Sequence, residues 1–259
     1  MTINNDLCRV LQVGLTVKLL LLYPGLLPGH DFLVKPAKTT APKGVPVEVS
    51  VLLTEIYMQP DRVLPESAVE LDAVADGVRT PIPLKADEQA KALVGTLRSP
   101  SAKAFILSGH RLASIRSGAN RKGAPPAGAG SAGAVKSESF SKVLINAAAG
   151  DNGYAAIVGD RLEIVPMTNP SLVQAGGEMT VQIRFDGKPL KTKVLATYDG
   201  FSAELHKVAH QLESGEDGTA RFQVASPGLW MVRVAQSLEE PAETHSRYVA
   251  AATLIFSVE

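Results

Sequence analysis

The chain has one cysteine, Cys8, among its 259 residues. A lone cysteine forms no internal disulfide and builds no cysteine-based zinc site. Neither sign of charge is in excess: 26 Lys plus Arg stand against 26 Asp plus Glu. With no basic surplus and no nucleic-acid motif, a nucleic-acid partner is not expected. Catalytic signatures are missing as well. There is no G-x-S-x-G elbow and no P-loop, and the glycine-rich AGAGSAG stretch lacks the strand–helix context of a dinucleotide fold. The expectation is therefore a protein that is not an enzyme.

Long apolar runs are also scarce. LLLLYPGLLP, residues 19–28, follows Arg9 and Lys18 and has the length of a signal h-region. It falls short of the ~20 apolar residues a membrane span needs. Residues 1–29 therefore read as an export signal, or as an N-terminal anchor where the leader is not cut. Cleavage after Gly29 would make His30 the first residue, and the expected location is the periplasm or cell envelope. Cys8, ahead of the apolar run, would leave with the leader.

What remains reads as strands. VPVEVSVLL, residues 45–53, alternates and then turns continuously apolar, as a strand with one face in a core does. AVELDAV and TPIPLKA are two more short strands, separated by the ADG turn at 75–77. AKAFILSGHRLASIRS, residues 102–117, is expected to end one strand near Gly109 and begin another beyond it. Residues 117–139 are Gly, Ala, Pro and Ser with a few charges, the composition of a flexible linker or loop. Beyond it, DRLEIVPMTNP turns at Asn169-Pro170. Strands then recur between an Asp-Gly turn at 186–187, a second at 217–218 and a Pro-Gly turn at 227–228. Short strands at this spacing, without long helical patterns, predict an all-β fold of two antiparallel β-sandwich domains, Ig-like or transthyretin-like. The first spans residues 30–116 and the second 140–259. Trp230 and Phe222 alternate with polar neighbours and are expected in the core.

Five histidines carry the only metal-ligand chemistry of note. His206 and His210, in ELHKVAH, are four apart, which puts both rings on one face of a helix or of a strand. The residue after His206 is Lys207, so the H-E-x-x-H pattern of zinc peptidases is absent. The pair is read as solvent-exposed, with an accessory metal site as the alternative. His110, in SGHRL, has no nearby partner in the sequence and reads as structural or exposed.

The order of motifs resembles a known family. HDFLVKP after a leader, SKVLINAAAG, DRLEIVPMTNP, VQIRFDGKPLKTKVLATYDG, EDGTARFQVASPGLWMVRV and HSRYVAAATLIFSV are similar, in that order, to the domain of unknown function 4198. That family is related to the NikM-like nickel-uptake components. The resemblance implies an exported protein that binds a transition metal, nickel or cobalt ahead of copper or zinc, as an accessory to a membrane metal-uptake transporter. It places His30 and His245 among the ligands, with Asp31 beside them. Relatives carry a Gly-His pair after the first core strand; here the place reads TEIYMQP, where Glu55 or Tyr57 would stand in. A freed His30 would offer its ring and its α-amine, and the amine's ordinary pKa near 8 lets a metal displace the proton at neutral pH. His245 would close the site from the second domain. The alternative reading is a non-catalytic interaction module of the cell envelope that holds no metal.

Overall fold

The computed structural model describes residues 30–116 and 133–259. The expected leader and its cleavage site, and Cys8, lie outside these residues. Among them no helix is long and apolar enough to cross a membrane. The described residues form seventeen strands in three sheets.

The central sheet has eight strands. It contains β4 (Val69–Ala75), β5 (Val78–Pro81), β8 (Phe105–Arg116), β9 (Val135–Ile145), β13 (Lys193–Tyr198), β14 (His210–Glu213), β16 (Gly228–Glu239) and β17 (Arg247–Val258). Their order is β14-β13-β16-β17-β9-β8-β4-β5. A front sheet holds β1 (Asp31–Pro36), β2 (Pro46–Ile56), β7 (Ala92–Arg98) and β6 (Lys85–Asp87), with β3 (Gln59–Pro60) folded back on β2. A back sheet holds β10 (Leu162–Pro166), β11 (Glu178–Phe185) and β12 (Lys188–Pro189), with β15 (Thr219–Gln223) on the other edge of β11. Among the described strands every pairing is antiparallel except β17 with β9, which run parallel.

The expected β-sandwich packing is present, and the two sandwiches share one sheet. Side chains of a strand alternate between its faces, and in the middle of the central sheet both faces are buried. Phe105, Leu107, Val143, Ile145 and Ile255 join the front core with Phe32 and Val34. Their neighbours Ile106, Leu144, Leu254 and Phe256 join the back core with Met179, Ile183 and Trp230. This explains why VLI in β9 and LIF in β17 are continuously apolar: strands covered on both sides have no polar face. Trp230 and Phe222 lie in the back core, and the Trp230 indole donates to Ser226 O at 2.8 Å.

Two local expectations change. Gly109 does not end a strand, because β8 runs unbroken from Phe105 to Arg116. The glycine is there for proximity: a Cβ would meet Val34 Cγ2 at 2.5 Å, so its absence lets β1 settle onto the sheet. The stretch read as linker to residue 139 becomes strand already at Val135. β8 on one side and β17 on the other supply its hydrogen bonds, and those partners lie far away in the chain. Asp186 and Gly187, at φ 48° and 73°, form the expected tight turn, with both central residues in the left-handed region as such hairpins require.

Candidate functional site

The front sheet covers the central sheet over β9, β8 and β4. It stops at β1, so the front faces of β13 and β16 are left open. Lys193, Leu195 and Thr197 of β13 and Met231 and Arg233 of β16 floor a cavity of about 330 Å³ there. Its walls are Asp31 from β1, Glu55 to Tyr57 from the end of β2, and the 198–208 loop.

The β1–β2 register sets Asp31 opposite Thr54 and so brings His30 beside Glu55. β2 then turns through Tyr57 and Met58, the latter at φ 64°, and Ile56 pairs with Gln59. This return carries Asp61 back to the same place, where its N–H donates to Leu53 O at 2.9 Å. His30 Nε2 thus faces two carboxylates, Glu55 Oε1 at 3.5 Å and Asp61 Oδ2 at 3.4 Å. The sequence reading picked Glu55 and missed Asp61. Its signal was the Pro60-Asp61 pair just past a hairpin that only the β2–β3 pairing makes visible.

Asp31 points the other way. Its carboxylate pairs with Arg233 Nε at the base of the cavity. Burial pushes its pKa up to about 6, against the lowering effect of Arg233 and His206. The Tyr57 hydroxyl is buried at the cavity wall with no hydrogen-bond partner among the described residues. Burial, with Asp199 nearby, pushes its pKa well above the usual range.

His245 stands elsewhere. It is buried ahead of β17, with Nε2 3.2 Å from Glu240 Oε1 and Nδ1 3.1 Å from Thr244 Oγ1. Glu240 also accepts from Arg161 at 2.7 Å, and Arg161 stacks over Tyr248. Asp31 touches β16 at Arg233, whereas His245 lies past the far end, where Glu239 pairs with Arg247. Six residues of strand separate Arg233 from Glu239, roughly 20 Å. The structure therefore brings together His30, Asp31, Glu55 and Tyr57 but not His245, and closure of one site by both histidines does not occur. Among the described residues no three His, Cys, Asp or Glu side chains already converge as a metal centre.

The other histidines also part company. Residues 199–209 are turn and loop rather than helix, and β14 starts at His210. His206 lines the front cavity, whereas His210 lies 5.7 Å from Phe222 and 6.1 Å from Trp230, ring to ring. His110 has a partner after all: Nε2 is 2.7 Å from Glu138 Oε1, and the ring stacks on Phe140 at 4.9 Å. It lines a second cavity, of about 360 Å³, on the back face beyond the edge of the back sheet. Asp160, also in that lining, has its pKa raised to about 6 by burial and by the charge of Glu163. Behind it Lys142 and Glu163 form a buried ion pair.

No curated protein matches the chain significantly. Solved structures with some likeness include the Ig1–Ig3 ectodomain of mouse nectin-like molecule 4, at 13% identity and TM-score 0.21, covering 88% of this chain and 64% of that one. Trypsin-activated alpha-2-macroglobulin from Escherichia coli follows at 12% identity and TM-score 0.26, covering 90% of this chain and 16% of that one. A DUF4785 family protein from Legionella pneumophila gives 9% identity and TM-score 0.28, covering 78% and 52%. The chain thus spans less than two thirds of each, and similarities this low carry no argument about function. The family of the domain of unknown function DUF4198 matches residues 27–237, which takes in the front cavity, His30 and all but the last strand. The chain belongs to the DUF4198 family.

Proposed function

We propose that the protein is an exported, non-catalytic binding protein of the periplasm that holds a transition-metal ion at His30, Glu55 and Asp61 and passes it to a membrane uptake system. The observation that supports this reading is His30 Nε2 set between two carboxylates, at 3.4 and 3.5 Å. One imidazole and two carboxylates are a donor set suited to borderline divalent ions, nickel or cobalt ahead of copper or zinc. All three side chains keep solvent access, 27% for His30, 43% for Glu55 and 36% for Asp61, so rotation about their side-chain bonds can close them on one ion. Cleavage after Gly29 would add the α-amine of His30 to the same set. Asp31, held by Arg233, fixes the start of β1 and leaves the ligand set, as does Tyr57. The sequence's resemblance to the NikM-like nickel-uptake components points the same way.

The same three side chains also favour a second reading. A protonated His30 between two carboxylates is a complete ion-pair cluster, as an interaction module without metal would have. Calorimetric titration with nickel, cobalt, copper and zinc separates the two, using protein that begins at His30 and its His30→Ala and Asp61→Ala variants. Submicromolar binding lost in both variants supports the metal reading. A folded protein that gives no heat with any of the four ions leaves the interaction module.

A further inference from the structure

The front cavity has a chemistry that the metal reading does not use. Its charges are nearly all spoken for. Arg233 is paired with Asp31, Lys207 with Glu204 at 2.6 Å, and Glu55 with His30. Of the lysines and arginines that line the cavity, Lys193 alone has no anionic partner among the described residues. Glu213, its neighbour across the β13–β14 ladder, stands beyond ion-pair reach. The Tyr57 hydroxyl adds a buried donor that nothing accepts. A buried polar group left unpaired is costly, about 1–3 kcal/mol, and such groups in native structures are usually met by water or a ligand. Between these two polar points the surface is apolar: Leu195 and Met231 below, Ile56 and Tyr198 at the sides. At about 330 Å³ the cavity falls within the range of small-molecule sites.

An occupant that suits it brings an anion for Lys193 and an apolar body for the floor, while water can meet the Tyr57 hydroxyl. We propose that this cleft binds a small organic carboxylate, its carboxylate held by Lys193 and its hydrocarbon part lying on Leu195 and Met231. A carboxylate only accepts hydrogen bonds and brings the negative charge that Lys193 lacks. An amine of the same shape would face Lys193 with like charge. The proposal goes beyond the metal reading and does not depend on it: Lys193 forms no ion pair with Glu55 or Asp61, and the two sites share Glu55 at the β2 end.

The test uses benzoate as probe, with benzyl alcohol and benzylamine as neutral and cationic counterparts of equal size. Protein carrying isotope-labelled methionine methyls is titrated by nuclear magnetic resonance. The methyl of Met231 lies in the cleft, and that of Met179 is buried in the back core and serves as the reference. Benzoate is expected to shift Met231 and not Met179, with a Kd below about 1 mM. Benzylamine and benzyl alcohol should bind at least tenfold more weakly. Lys193→Met should weaken benzoate at least tenfold, and Lys103→Met, an exposed lysine outside the cleft, not at all. Lys193 is only half-buried, so its replacement leaves the fold intact, and the thermal midpoint checks this. Equal binding of benzoate and benzyl alcohol, unchanged benzoate binding in Lys193→Met, or no Met231 shift up to about 10 mM benzoate would each overturn the proposal. Nickel calorimetry on Lys193→Met should match the parent protein, so failure of the metal reading and failure of this one show up separately.

Discussion

On the front face of the central sheet, the step beyond β1 leaves a cleft floored by Leu195 and Met231. On the back face, the step beyond the edge of the back sheet leaves one lined by Ser108, His110 and Phe140. Both arise for the same reason. Two smaller sheets cover opposite faces of one eight-stranded sheet and are displaced toward opposite ends of it, so each leaves part of a face bare. Each cleft also holds an aspartate whose pKa burial lifts to about 6, Asp31 in front and Asp160 behind. There the likeness ends. Most of the charge around the back cleft is mutually satisfied: His110 with Glu138, Glu138 with the Tyr248 hydroxyl at 2.6 Å, Arg79 with Asp72 at 3.2 Å, and beneath it Lys142 with Glu163. The front cleft keeps an unpaired lysine and an unpaired hydroxyl above an apolar floor. Equal volume and equally shifted carboxyls thus mark a structural network in one case and a binding surface in the other. What separates them is whether the polar groups already have partners.

The contrast is broken most sharply at the back. Lys142 and Glu163 are 2% and 3% exposed, and Glu163 also accepts from Val158 N–H at 2.8 Å and Gly159 N–H at 3.1 Å. Removing one member strands a buried charge. Lys142→Met should cost about 3–5 kcal/mol in urea unfolding, and replacing both residues by apolar ones should recover most of it. If Lys142→Met cost less than about 1 kcal/mol, the back cleft would not be the rigid network described. Next in size is Gly109→Ala. Its new methyl would press on Val34, whose own N–H donates to Ser141 Oγ at 3.0 Å and cannot retreat freely. A loss of about 1–3 kcal/mol is expected, and pairing the change with Val34→Ala should shrink it.

These two positions also show how far the sequence could be read. Periodicity and turn residues were enough for the strands and the sandwich packing, because each strand's faces follow from its own residues. Sharing of the central sheet was not legible, because β9 meets β17 only across a separation of 112 positions, as Ser141 does with Thr253. Nor was the use of Gly109, which depends on Val34 in another sheet. At the candidate site, His30, Asp31, Glu55 and Tyr57 were singled out from one local stretch and one resemblance. His245 was grouped with them by motif order, and motif order carries no distance. Asp61 and Lys193 were missed because each matters through what it faces, or fails to face, across a pairing that the chain's order conceals.

The two aspartates give a smaller and symmetrical effect. Each keeps its proton to about pH 6 in the folded protein and loses it near 3.8 when unfolded. Between these values the native state binds more protons than the unfolded one, so the contribution of each group to stability falls as pH rises from about 4 to 6 and is level above. For Asp31 the shift corresponds to about 2–3 kcal/mol; for Asp160, nearer the solvent, less. Asp31→Asn and Asp160→Asn should each flatten part of the fall, additively, because the two share no partner. A pH profile unchanged by either substitution would mean that the carboxyl is better solvated than its burial implies.

The smallest effect belongs to the rim of the front cleft. Lys207 meets Glu204 at 2.6 Å, but the two side chains are 51% and 73% exposed and three residues apart in a turn. Water screens such a pair, and holding two long side chains together costs entropy that offsets the attraction. Lys207→Ala should therefore change unfolding stability by less than about 0.5 kcal/mol. It should also leave benzoate binding within about twofold, since the charge removed was already neutralised by Glu204. Lys193→Met removes the same charge from the same cleft at a position with no counterion. Lys207→Ala weakening benzoate as much as Lys193→Met would show that the cleft responds to its total charge and not to one unpaired group, and the distinction drawn between the two faces would then lose its basis.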